Sequence, residues 1–412
     1  MSDPNPLLQP PALDERIASL KRRLNRVYGV PASEAHVVVS PYRICPLGAH
    51  VDHQLGRVTG MALDQAIVLV FAAAPDAAPR TVRARSRNFP VETRFDLDTI
   101  PPKRPGDWGN YLRGAAAALK QRFGERFQRG MVGIIDGTMP IGGLSSSAAV
   151  GVAYLLALET VNGLKAGAAD NIHLNRFIEN HYIGLNNGIL DQTIILAARR
   201  GRLLALDCQA EQWQVLDGPA PGSFEILVVH SGVEQSLVAT GYNQRVAECR
   251  DAACQLLAAA GQTDHADAVL RDVPETVFHE HVAALPAASA KRATHFFGEQ
   301  ARVREGVAAW TRANLKRFGE LMTASGRSSI ENYECGSPPL ISLYELLISA
   351  PGVLGARFSG AGFRGNCIAL IEPGRAGAIA EIVRAGYTRR HPVEAKAFAA
   401  VVCGTDDGAR LL

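Results

Sequence analysis

The chain is expected to fold as an α+β protein of two domains, and three features of the sequence point that way. Strand-like and helix-like segments do not alternate as βαβ units, which disfavours a doubly wound parallel sheet. Composition shifts at the Pro/Gly-rich "LDGPAPGS" (216–223), between a strand-containing first half and a mostly helical second half. A length of 412 residues, 47% hydrophobic and 20% charged, is sufficient for two ordinary cores. The expected domains are 1–217 and 222–412.

Each element has its own signal. Leu13, Ile17, Leu20, Leu24 and Val27 recur at three- and four-residue spacing, predicting an amphipathic helix over 12–29 that Gly29 and Pro31 end. "HVVVS" (36–40), "AIVLVFAA" (66–73) and the alternating "TVRARSRNF" (81–89) read as strands. "WGNYLRGAAAALKQRF" (108–123) reads as a helix, and "GMVGIIDGTMP" (130–140) as a strand stopped by proline. "IGGLSSSAAVGVAYLLALETVNG" passes from glycine-rich loop into helix, and a further helix runs through "NIHLNRFIENHYIGL". After the strands "GRLLALDCQ" and "FEILVVHSG", helices are expected over 243–260, 265–271, 276–284, 289–325 and 338–349. The chain closes with strands around "GARFSGAGFRGNCIALIEP" and "FAAVVCGTDDGARLL".

Several function classes are disfavoured. A formal charge of +3 provides no polycation for nucleic acid. Seven cysteines, an odd number with no C-x-x-C pair, argue against a disulfide framework or structural zinc and suggest a reducing cytoplasm. The N-terminal "MSDPNPLLQPPALDER" lacks a basic n-region before an apolar run, and no apolar run reaches membrane-spanning length.

Four segments could carry chemistry. "PIGGLSSSAAV" (140–150) places glycines and serines at a helix start, where unpaired backbone N–H groups and the helix dipole attract phosphate. A plain serine-capped helix is the competing reading, and no Lys follows as in a Walker A loop. "GARFSGAGFRGNCIAL" (355–370) is a second glycine-rich turn, equally consistent with a hairpin. In "NNGILDQT" (186–193), Asp191 could be a general base or only a helix cap. Glu179 lies twelve residues earlier, and beside a phosphate loop the two acids would suit a base and a magnesium ligand. "RICPLGAHVDHQLGRV" (43–58) crowds Arg43, His50, Asp52 and His53 among glycines, either as an ion-paired turn or as a grip on sugar hydroxyls.

In this order the segments resemble the GHMP family of small-molecule kinases, over nearly the whole chain. "PYRICPLGAHVDHQLG" resembles the galactokinase signature, "PIGGLSSSAAV" the family phosphate loop, "NGILDQ" the segment with the catalytic aspartate, and "FSGAGFRGNCIAL" the C-terminal glycine motif. The resemblance implies a ribosomal S5 domain 2-like N-terminal domain, a ferredoxin-like C-terminal domain and a site between them. It implies Asp191 as base and Arg43 as transition-state cation, with magnesium on Ser147 and Glu179. ATP would lie on Gly142, Gly143, Leu144, Ser145, Ser146 and Ser147, with Trp108 near the adenine. His50, Asp52, Gly188 and Tyr242 fall at sugar-contact positions, and Gly360 and Ala361 of the glycine motif at the substrate.

Departures from the galactokinase pattern bear on the substrate. The signature G-E-H-T-D-Y reads here "GAHVDH", so Ala49 replaces a glutamate that lies by the sugar's C6 hydroxyl in galactokinases. A substrate carboxylate at C6 would be repelled by that glutamate and accommodated by alanine. "GAGFRG" replaces the common G-A-G-F-G-G, adding Arg364, a residue type that binds carboxylates bidentately. "PYRICPLGAH", "GLSSSAAVGVAYLLALE", "SSIENYECG" and "GARFSGAGFRG" resemble the plant-type galacturonokinases. The expectation is a sugar 1-kinase making α-D-galacturonate 1-phosphate and ADP from D-galacturonate and ATP. A galactokinase or another uronate 1-kinase is the alternative, and a non-catalytic sugar and ATP sensor the minor one. The expected form is a cytoplasmic monomer or homodimer.

Overall fold

The computed structural model describes residues 7–139, 143–233, 241–262, 267–363 and 365–412. In chain order, the first half holds α1 (Leu13–Tyr28), β1 (His36–Ile44), β2 (Arg57–Ala73), β3 (Thr81–Ser86), β4 (Thr93–Asp96), α2 (Asn110–Phe123), β5 (Met131–Gly137), α3 (Ser146–Val161), α4 (Ala168–Phe177), α5 (Leu190–Ala197), β6 (Leu203–Asp207) and β7 (Gln212–Leu216). The second holds β8 (Glu225–His230), α6 (Tyr242–Ala259), α7 (Glu275–His281), α8 (Ala287–Thr311), α9 (Leu315–Glu331), α10 (Pro338–Ser349), β9 (Val353–Phe358), β10 (Asn366–Ile371), α11 (Ala376–Arg390), β11 (Ala399–Cys403) and β12 (Arg410–Leu411).

The strands form two sheets. One runs β12-β1-β2-β5-β3-β4, with β6 and β7 branching from β2; the other is β11-β8-β10-β9, antiparallel throughout. β1 is apolar on both faces because both are covered. Val37 and Val39 pack with Leu20 and Leu24 of α1, while Val38, Tyr42 and Ile44 face the core shared with α2 and α3. Helices therefore cover both sides of the strand that leads into the site. Mixed helix and two-sheet content bears out the α+β expectation.

Several elements differ from the sequence reading. β2 is 17 residues long, because its first part pairs with β6 and its second with β1 and β5; the apolar run at 66–73 marks only the second part. The helix expected over 289–325 is two helices. Ala313 turns left-handed (φ 54°), and the Asn314 side chain caps α9 by accepting from Arg317 N–H at 3.0 Å. The helix expected over 265–271 is a single 3₁₀ turn at Leu270–Asp272, with 263–266 outside the described residues. α11 was not anticipated; its buried face mixes Ala376, Ala380 and Gly386 with Ile379, Val383 and Tyr387. The chain end also crosses back: β12 pairs with β1 through Val38–Leu411 and Val39–Arg410, covering an edge of the first sheet. None of the described helices is long and apolar enough to cross a membrane.

Candidate active site

The site begins where β1 loses its regular ladder. Pro41 has no N–H to donate, and the register with β2 shifts between Pro41 and Arg43. The Arg43 backbone N–H turns to the Leu144 carbonyl at 3.3 Å. Its buried guanidinium meets Asp191, with Nε 2.7 Å from Oδ1, and Nη1 donates to the Gly143 carbonyl at 3.4 Å. Burial opposes the charged form of Arg43, but Asp191 outweighs it and holds the pKa above the ordinary value.

Asp191 lies in the first turn of α5, and its second oxygen accepts a short hydrogen bond from the Ser145 hydroxyl. Ser145 is left-handed (φ 53°) and immediately precedes α3. That conformation turns the chain from the glycine loop into the helix, so the first serines of α3, Ser146 and Ser147, line the same cavity as Asp191. Gly143 (φ 80°) lies against the second glycine motif: a Cβ there would come within 2.7 Å of the Ser359 carbonyl. Ser359 in turn donates its hydroxyl to the Gly143 carbonyl. The two glycine-rich segments, 216 residues apart, thus form one wall.

Glu179 lies on a π-helical turn, Ile178–Ile183, that follows α4 where a continuous α-helix was expected. Such wide turns displace side chains from the regular helical face. Glu179 is buried; one oxygen accepts from Asn187, and Oε1 has no hydrogen-bond partner. Burial first, then the charge of Asp191, pushes its pKa up to about 7. Among the described residues, no three His, Cys, Asp or Glu side chains assemble as a metal cluster.

The loop after β1 forms the other side. His50 is left-handed (φ 59°) and stacks on Tyr333, ring centroids 4.3 Å apart. Burial, with the charges around it, holds its pKa well below the ordinary imidazole value, so the ring is neutral. Asp52 accepts from Gly188 N–H at 3.2 Å, and burial followed by the Asp191 charge raises it to about 6. A Cβ on Gly188 would lie 2.7 Å from Asp52 Oδ2, so the glycine permits that contact.

These groups line a cavity of about 250 Å³. Its wall includes Arg43, Ala49, His50, Asp52, Gly143, the serines 145–147, Glu179, Asp191, Tyr242, Gly360 and Ala361. A second cavity of about 580 Å³ meets it at Tyr111, Ser146, Ser147 and Ile183. Trp108 lines the second cavity, donates Nε1–H to the Val91 carbonyl at 3.0 Å and stacks on Phe89. Of the expected site residues, Leu144 is buried behind the loop and Gly188 stands behind Asp52, outside the first cavity's wall. Gly142 and Arg364 lie outside the described residues.

Four contributors were not anticipated. Glu299 of α8 is fully buried; its Oε2 accepts from Gly48 N–H (2.8 Å), Ala49 N–H (3.2 Å) and the Ser325 hydroxyl (3.0 Å), and its Oε1 from Arg302 (2.6 Å). His295, one helical turn earlier, holds the Ala49 carbonyl at 2.9 Å. Tyr333 lies under His50, and Arg357 lines the cavity from β9. Tyr333 belongs to the "SSIENYECG" segment noted from sequence, whereas a buried Glu or Arg within a regular element has no sequence signature.

Comparison with known proteins agrees with this geometry. Residues 110–199 match the GHMP kinases N terminal domain, and residues 307–389 the GHMP kinases C terminal. The chain is 43% identical to a galacturonokinase of Arabidopsis thaliana, covering 97% of this chain and 99% of that one. It is 31% identical to a galactokinase of Chloroflexus aggregans, over 94% and 97% of the two chains. A structure of Lactococcus lactis galactokinase complexed with galactose superposes with a TM-score of 0.87 at 28% identity, covering 96% of this chain and 99% of that one. With similarity of this depth along nearly its entire length, the chain belongs to the GHMP kinase family, as an ATP-dependent sugar kinase.

Proposed function

We propose that the enzyme transfers the γ-phosphate of ATP to the anomeric hydroxyl of D-galacturonate, giving α-D-galacturonate 1-phosphate and ADP. The observation that carries the substrate choice is Ala49. It stands in the wall of the central cavity, its backbone pinned on both sides by Glu299 and His295, and it presents a methyl group where the galactokinase pattern has a carboxylate. A C6 carboxylate meets no like charge at that position. The relative from Arabidopsis thaliana is named a galacturonokinase, which supports the same reading.

In this proposal Asp191 accepts the proton of the C1 hydroxyl as the oxygen attacks phosphorus. Arg43 keeps the Asp191 carboxylate in place and faces the transferred phosphoryl group with a permanent charge. The N-terminus of α3 and the serines 145–147 receive the triphosphate, and the second cavity, with Trp108, the nucleoside. Glu179 and Ser147 would hold magnesium, which fits a buried carboxylate oxygen that lacks a hydrogen-bond partner. When bound, the ion would offset phosphate charge, and because magnesium is commonly held by one or two protein groups together with substrate phosphate, no cluster of three acids is required. Asp52, His50 and Tyr242 would hold sugar hydroxyls, with Gly188 behind Asp52. We place the enzyme in the cytoplasm, which seven free cysteines support, and take it as a monomer or homodimer.

The test is a coupled ADP-release assay at saturating ATP with galacturonate, glucuronate, galactose and arabinose. The highest kcat/KM is expected for galacturonate. A clear preference for galactose overturns the uronate reading.

A further inference from the structure

The central cavity carries a cation that phosphoryl transfer leaves unused. Two arginines stand in its wall among the described residues, Arg43 and Arg357. Arg43 is committed to Asp191 and the Gly143 carbonyl. Arg357, on β9, is 1% exposed; its Nε donates to the Phe358 carbonyl and its Nη1 to the Ser325 hydroxyl, both at 2.9 Å. Among the described residues no acceptor reaches Nη2, and no carboxylate lies within ion-pair distance of the guanidinium. A buried guanidinium without a direct counter-ion is costly, and it marks a place where an anion is favoured.

Its position relative to Ala49 is fixed by a short chain of hydrogen bonds. Arg357 donates to Ser325 Oγ, Ser325 donates to Glu299 Oε2 at 3.0 Å, and the same oxygen accepts the Ala49 N–H. Glu299 is reached only through Ser325 and is itself paired with Arg302 at 2.6 Å. Arg357 and Ala49 therefore stand on one scaffold and face one cavity. The imidazole of His50 beside them is neutral, and the Arg357 charge contributes to keeping it so. Arginine's planar fork matches a carboxylate better than a lysine point charge would.

We propose that Arg357 is the residue that binds the C6 carboxylate of the substrate, through the Nη2 amino group that the protein leaves without an acceptor, next to Ala49. This rests on the galacturonate reading above. It also assigns Ala49 a second effect: a glutamate at 49 would both repel the substrate carboxylate and offer Arg357 a partner inside the protein. Selectivity for the acid then belongs to the Ala49–Arg357 pair rather than to either residue.

The experiment measures the ratio of kcat/KM for galacturonate to that for galactose in wild type, Arg357→Lys, Arg357→Gln and Ala49→Glu. This ratio is independent of the folded fraction of each preparation. Truncating one side of a buried charge pair predicts a fall in the ratio of at least about 30-fold for Arg357→Gln, with a smaller fall for Arg357→Lys. Ala49→Glu should lower it in the same direction. If Arg357→Gln is not recovered folded, two measurements replace it. The fall in Arg357→Lys is one; the other, on wild type, is a KM for the galacturonate C6 methyl ester at least about tenfold above that of the acid. An unchanged ratio in the Arg357 variants, or an ester accepted as well as the acid, overturns the assignment while leaving galacturonate as substrate. A wild type that prefers galactose overturns the substrate reading itself, and this assignment with it.

Discussion

Replacing Glu299 by glutamine separates the scaffold of the sugar loop from the chemistry. The native carboxylate is fully buried and accepts four hydrogen bonds: from Gly48 and Ala49 N–H, the Ser325 hydroxyl and Arg302. Burial opposes its ionisation, yet Arg302, His295 and Arg357 together hold its pKa below the ordinary carboxylate value. A glutamine has one oxygen. Turned toward the loop, its NH₂ faces Arg302; turned toward Arg302, its NH₂ faces two backbone donors. Either way a buried donor is left unpaired at about 1–3 kcal/mol, and the surviving bonds lose charge assistance. The sum is about 3 kcal/mol of stability, read by thermal and urea denaturation. About half of that displaced onto the loop raises the sugar KM by roughly tenfold. The Arg43–Asp191 pair, at 2.7 Å, contacts none of these groups, so kcat and the KM for ATP should change less than about threefold. Steady-state kinetics with each substrate varied in turn decides the matter. A sugar KM equal to wild type would refute the reasoning and leave Glu299 with a packing role only.

Three further perturbations test other parts of the site. Asp191→Asn should leave nucleotide binding, followed by calorimetry, within about threefold of wild type while lowering kcat by at least about 100-fold; retained turnover removes Asp191 from the role of base. His295→Gln probes pH dependence: burial depresses the His295 pKa to about 4, so the folded state resists protonation below pH 6.5 while the unfolded state accepts it. Its contribution is fully present above 6.5 and falls by about 1.4 kcal/mol per pH unit down to about 4. Between pH 7.5 and 5.5 the variant should therefore lose about 1.4 kcal/mol less than wild type in urea titrations, and equal losses would sink this account. Gly360→Ala places a Cβ 2.8 Å from the Gly143 Cα at a φ of 69°, which should lower the melting temperature and reduce kcat/KM for ATP at least about tenfold. A normal variant would show that the two loops yield easily.

Much of this architecture was legible in the sequence, and the exceptions have physical causes. α10 was placed residue for residue because proline and serine mark its start and apolar periodicity its length. α11 is harder to read because Ala376, Ala380 and Gly386 take half of its buried face and dilute the apolar signal of Ile379, Val383 and Tyr387. The turns that carry the candidate site residues, at Gly48 and His50 and at Gly143 and Ser145, are readable because left-handed backbone calls for glycine or a polar residue within a glycine-rich stretch. Glu299, His295 and Arg357 sit in regular helix and strand, where local sequence does not distinguish a buried charge from an exposed one. The π-helical turn at Glu179 is invisible for the same reason: it changes the pitch, not the composition.

The contact between Gly143 and Gly360 has a consequence for how such an enzyme can change. A side chain on Gly360 would need the space of the Gly143 backbone and one on Gly143 the space of the Ser359 carbonyl, so each lies against backbone rather than a flexible side chain. An enlargement at one position cannot be compensated by a reduction at the other, because nothing smaller than glycine exists. The pair is an evolutionary dead lock. Libraries aimed at altered substrate choice lose diversity by randomising either position, and new specificities are reached by routes that keep this seam between the two halves intact.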